Sequence, residues 1–186
     1  MQPITALADL ERWIELSGDH PGLPFDMSLG PGLRFAVFGD YSVLFVPEVV
    51  KAVCHWSAEC AMQPFAMFFT HPDPVEYLRE TGSGGLVATG ADNPDAIEEF
   101  LTHGNRWKGF FSPYDASHRF IVLPESRAWM FIGDRDADLA TLGFSSDAQR
   151  QRFMDVAGVG FFETAADAAA HAQSLMGYTL NVADWL

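Results

Sequence analysis

Between Arg119 and Phe144 the chain carries three runs rich in aromatic, β-branched and long apolar residues: Arg119 to Leu123, Ala128 to Ile132 and Leu139 to Phe144. The turns between them, Pro124-Glu125-Ser126 and Gly133-Asp134-Arg135-Asp136, are only a few residues long. A parallel neighbour needs a crossover of roughly a dozen residues or more, so connections this short force consecutive strands to run antiparallel. The tract predicts a β-meander, with Trp107 to Phe111 as a further strand before it.

The rest of the chain alternates turn chemistry with amphipathic segments. Thr5 is placed to cap a first helix whose Leu7, Leu10, Trp13 and Ile14 share one face and which Gly18 stops. Leu33 to Phe38 and Tyr41 to Val46, separated by Gly39-Asp40, read as a hairpin. Pro47 opens a helix toward Met62, and Phe65 to Thr70 is a short apolar strand. A brief helix near Val75 to Glu80 and a small strand, Leu86 to Thr89, follow.

The plainest helix has Asn93 as cap, Pro94 at its first position, acids early and Gly104 at its end. Ser146 and Gln149 have capping-box spacing for a helix through Val156. Thr164 and Asp167 have it for Ala165 to Met176. No repeat or low-complexity linker divides the 186 residues, so one domain spanning 1–186 is expected. The fold class expected is α+β, an antiparallel or mixed sheet (hairpin plus meander) flanked by about five helices, with a mixed α/β sheet as alternative.

Charge narrows the functional classes. The net charge of −14 repels nucleic acid and anionic membranes, and its electrostatic complement is a basic protein. The balance is uneven: residues 106–127 hold 2 acids against 4 bases, while residues 1–105 hold 15 against 4. There is no signal-like opening, and the most apolar stretch, Val43 to Val50, is far too short to span a membrane, so a cytoplasmic protein is expected. Two cysteines are too few for a disulfide framework.

The motifs for chemistry are incomplete. Cys54-His55 and Cys60 offer zinc-type ligands without the spacing of a zinc motif, and buried thiols in a helix are the better explanation. A cysteine nucleophile with His71, His103 or His118 as base has no local signature. Asp134, Asp136 and Asp138 alternate like the first ligands of an EF-hand, but Leu139 and Ser145 stand where glycine and glutamate are needed. Gly82 to Gly85 lacks the lysine of a phosphate loop. In Arg106 to Tyr114 and His118 to Phe120, basic and aromatic residues interleave as on a base-stacking surface, a pattern that ordinary strands with core aromatics also produce. No metal site and no cofactor is expected.

Two functional expectations follow. The first is a non-enzymatic acidic protein that docks to and masks a basic protein partner, a mode shared, by profile only, with bacterial immunity proteins and antitoxins. Asp134, Asp136 and Asp138 at a hairpin tip are its docking candidates, with Trp107, Phe111 and Tyr114 as aromatic anchors. The second is a binder of, or enzyme acting on, an anionic ligand, with a pocket near the Gly/Pro-rich loops that uses His71, Asp73, His118 and Arg119. A homo-oligomer built on the excess of phenylalanine is a third alternative.

Overall fold

A strand whose successive residues are all apolar can be buried only if both faces of its sheet are covered. Phe65 to Thr70, Phe120 to Leu123, Trp129 to Ile132 and Leu139 to Phe144 are such runs, and all are buried. In the computed structural model, which describes residues 1–18, 32–59, 63–104, 112–158, 160–161, 164–177 and 179, they form the middle of one seven-stranded antiparallel sheet.

The strands are β1 (Gln2–Pro3), β2 (Phe35–Gly39), β3 (Phe65–His71), β4 (Gly85–Ala88), β5 (Arg119–Pro124), β6 (Trp129–Asp134) and β7 (Leu139–Phe144). Their order is β1-β4-β3-β5-β6-β7-β2. The helices are α1 (Leu7–Ser17), α2 (Pro47–Glu59), α3 (Pro74–Thr81), α4 (Pro94–His103), α5 (Pro113–Ala116), α6 (Asp147–Ala157) and α7 (Ala165–Met176). The meander is present as β5-β6-β7, and the class is α+β.

The two-residue period of the strands divides the core. Phe65, Met67, Phe69, Phe120, Val122, Trp129, Phe131, Leu142 and Phe144 face α2, α4 and α6. Phe68, Ile121, Leu123, Met130, Ile132 and Leu139 face α1, α3 and α7. On the first face Phe153 of α6 meets Phe131 edge-on at 5.1 Å and Phe144 at 5.3 Å. Such pairs contribute about 0.5–1.5 kcal/mol each beyond their area. On the second face α7 presents only Ala165, Ala168 and Ala172, side chains small enough to let the helix lie close to the sheet.

The helix signals act largely as read. Asn93 accepts the Asp95 N–H, Ser146 accepts that of Gln149, and Thr164 with Asp167 forms a full capping box. Two expectations are corrected. The cap of α1 is Ala6, which has no side-chain bond, and not Thr5. The hairpin after Leu33 does not form: Tyr41–Phe45 is a 3₁₀ turn, and β2 pairs with β7 instead.

Burial explains the second correction. Tyr41, Val43, Leu44 and Phe45 are all buried, which the alternation of an edge strand would not allow and a tight helical turn over the end of the sheet does. Gly133 makes room for it, since a Cβ there would stand 2.6 Å from Leu44 Cδ1. The expected strand from Trp107 to Phe111 and the Gly/Pro-rich loop between Gly18 and Gly32 lie outside the described residues.

Gly85 gives a test of the sheet. It sits opposite Phe68 with φ of 147°, and a Cβ would meet the Met67 carbonyl oxygen at 2.4 Å. Gly85→Ala is expected to lower stability by about 1–3 kcal/mol from backbone strain alone, measured as a shift in the urea midpoint without a change in slope.

Candidate functional site

The turn between β6 and β7 organises one end of the sheet. Asp134 ends β6 directly opposite Arg119 at the start of β5. Its Oδ2 accepts from Arg119 Nε at 3.3 Å and Nη2 at 3.2 Å, and its Oδ1 accepts from the amides of Asp136 at 3.0 Å and Ala137 at 3.1 Å. Both side chains are buried. Burial pushes the Asp134 carboxyl above its ordinary value, and the Ala137 amide and the Arg119 guanidinium pull the other way.

The following residue, Arg135, points under α5. Its guanidinium donates to the carbonyls of Asp115, at 3.0 Å, and of Tyr114, and its Cζ lies 5.2 Å from the centre of the Tyr41 ring and 5.0 Å from that of Tyr114. A cation held between two aromatic faces and two carbonyls is a strong fastening. It fixes α5 against the 3₁₀ turn.

Beside α5 lies an open cleft of about 340 Å³ lined by Pro72, Asp73, Glu76, Tyr77, Glu80, Asp115, Ala116 and His118. Asp73 caps α3 by accepting the amides of Val75 and Glu76, which sets the first turn of α3 along the cleft. Glu76 and Glu80, four apart, fall on one side of that helix. Tyr77 is buried against Phe69, edge-on at 4.8 Å. Asp115 accepts from Ser112 Oγ at 2.7 Å. At the rim the rings of His71 and His118 meet edge-on at 5.4 Å, and His118 Nδ1 lies 3.2 Å from Asp136 Oδ1. A cis peptide joins His71 to Pro72.

The sequence-derived candidates are thus distributed unevenly. His71, Asp73 and His118 do come together at this cleft, while Arg119 is buried against Asp134. Among the described residues, four carboxylates and no Lys or Arg line the space, so the field of this lining favours a cation. Of the three aspartates expected at a solvent tip, only Asp136 is exposed; Asp134 is buried, and Asp138 is half-buried with its Oδ2 3.0 Å from His171 Nε2. Tyr114 packs inward on Phe45 at 4.7 Å. Trp107 and Phe111 lie outside the described residues.

Glu76, Glu80 and Asp115 were not singled out from the sequence. The sequence offers only a brief helix there, and nothing local brings Asp115 to Glu76 and Glu80.

Other motifs resolve into structure. In the glycine-rich loop the amides of Gly82, Ser83 and Gly84 are bonded to Leu78 O, Thr81 Oγ1 and Ile4 O, leaving none of the three for a phosphate. Cys54 is buried in α2 while His55 beside it is exposed, and Cys60 lies outside the described residues. Burial, with Asp92 nearby, pushes the Cys54 thiol up to about 11. At neutral pH it is protonated, and neither a nucleophile nor a ready metal ligand.

Two outcomes are expected. In a Cys60→Ser background, Cys54 should react with a disulfide reagent at least ~100-fold more slowly in the native protein than after denaturation, because both thiolate and access are suppressed. Arg119→Met should cost about 3–5 kcal/mol by leaving Asp134 buried without its counter-charge, and adding Asp134→Leu should recover part of that. The two unfilled amides, at about 1 kcal/mol or more each, hold the recovery below completeness in a denaturation double-mutant cycle. Neither a family model, nor a curated protein, nor a solved structure matches this chain, so what the cleft does is carried by its own geometry.

Proposed function

We propose that the protein is a non-enzymatic interaction protein that docks to and masks a basic protein, and that the cleft between α3 and α5 receives a lysine or arginine side chain of that partner. One observation carries this reading: Asp73, Glu76, Glu80 and Asp115 converge on a space whose inner wall is the buried ring of Tyr77. A long basic side chain has the same two parts, an aliphatic stem that packs on an aromatic wall and a cationic head that seeks carboxylates. Asp136, exposed at the rim beside His118, extends the negative surface. The net charge of −14 adds long-range attraction that accelerates encounter without fixing geometry.

Glu76 and Glu80 are exposed, so reversing them leaves the core intact. The test is capture of partners from lysate at low and moderate salt by three forms: the native chain, Glu76→Lys/Glu80→Lys, and Glu99→Lys/Asp155→Lys, which makes the same charge change on α4 and α6. The expected result is one stoichiometric basic protein retained by the native chain and by the α4/α6 variant. Its association should be slowed ~10-fold or more by the cleft variant. Equal retention by both variants would sink the proposal, as would a partner that is acidic or a nucleic acid.

A further inference from the structure

A second convergence of side chains lies on the far side of the β6–β7 turn, apart from the cleft. Asp40 stands between β2 and the 3₁₀ turn, Asp138 ends the β6–β7 turn, and His171 projects from α7. These three elements are distant in sequence, yet one ligand atom from each lies within 4.8 Å of the other two. His171 Nε2 is 3.0 Å from Asp138 Oδ2 and 3.4 Å from Asp40 Oδ1.

We propose that Asp40, Asp138 and His171 form a binding site for a divalent first-row transition cation of the zinc type. The spacing fits. Ligands about 2.0–2.2 Å from a common ion lie about 3.0 Å apart at right angles and about 3.4 Å apart at the tetrahedral angle. The donor chemistry also fits: an imidazole with two carboxylates suits zinc, whereas calcium and magnesium prefer all-oxygen shells of six or more.

Without an ion the same atoms make a hydrogen bond, and with a protonated imidazole two ion pairs. With its Nε2 lone pair turned toward the two oxygens, the imidazole instead completes a set of three donors. A cation between them takes all three lone pairs and neutralises two acids drawn together in a chain of net charge −14.

The exposure pattern says what kind of site this is. His171 and Asp138 are half-buried and Asp40 is exposed, so three protein ligands hold one side of the ion and the other side opens to solvent. That is the arrangement of a site with a position left for water or an incoming group. The ion would also fasten α7 to the sheet, which the helix otherwise meets only through alanines. Binding is therefore linked to folding stability.

Isothermal titration of the full chain with Zn²⁺, and in parallel with Mg²⁺, tests the site. Zn²⁺ should bind one to one and raise the unfolding temperature. Asp40→Asn, at an exposed position whose change does not threaten the fold, and His171→Gln should each weaken binding at least ~10-fold and remove the thermal shift, while His103→Gln on α4 changes neither. Mg²⁺ at the same concentration should produce neither effect. The assignment is overturned if no saturable Zn²⁺ event occurs, if Asp40→Asn and His171→Gln keep the native affinity, or if His103→Gln weakens binding as much as they do. None of these residues lines the α3–α5 cleft, so the outcome is independent of the basic-partner experiment.

Discussion

The buried pair Arg119–Asp134 is the constraint on which this end of the molecule depends. Two charges have been taken out of water between β5 and β6, which is tolerable only because every acceptor position that matters is filled: the guanidinium binds one carboxylate oxygen and two backbone amides bind the other. Those amides belong to the turn that follows, so the same carboxylate that completes the ion pair also sets the path of Asp136 and Ala137. From that path come the positions of Arg135 under α5, Asp136 beside His118 and Asp138 beside His171. The cleft and the carboxylate–imidazole cluster are the two sides of one turn.

Strand order makes this possible. The meander places β6 and β7 side by side, and β2 returns to the edge beyond β7, bringing Asp40 to the same end as Asp138. Helices cover both faces, with bulky residues of α2, α4 and α6 on one and the alanines of α7 on the other. A large side chain in place of Ala168 or Ala172 would lift α7 and carry His171 away from Asp138. Packing on a face without titratable groups thus fixes the distance between groups that have them.

How much of this the sequence disclosed follows the range of the interactions involved. Helix ends were legible because a cap is a bond between residues two or three apart, as at Asn93, Ser146 and the Thr164–Asp167 box. The meander was legible because short turns leave one choice of direction. The 3₁₀ turn at Tyr41–Phe45 was not, because Val43, Leu44 and Phe45 are as β-prone as any strand. What decides is a space over Gly133 that exists only once β6 is in place. The cleft was half legible: His71, Asp73 and His118 were named, but Glu76, Glu80 and Asp115 were not, and Arg119, counted as available, is held by a partner fifteen residues away.

The pairing of Arg119 bears on how a net charge is to be used. Among the described residues, some acids meet a fixed charge or helix dipole and others face the cleft. Asp134 faces a buried guanidinium, and Asp167 closes the box that starts α7. Asp73 belongs to both groups, binding two amides of its own helix while its carboxylate still contributes to the cleft wall. Acids of the first kind contribute to stability and little to the external field, since the charge or dipole they meet is fixed beside them. Acids of the second kind, Glu76, Glu80 and Asp115, line the cleft beside Tyr77, and α5 is held there by Arg135 from behind. Carboxylates set on one wall add to each other's field there, which is why the location of the acids, and not their number, carries the argument for function.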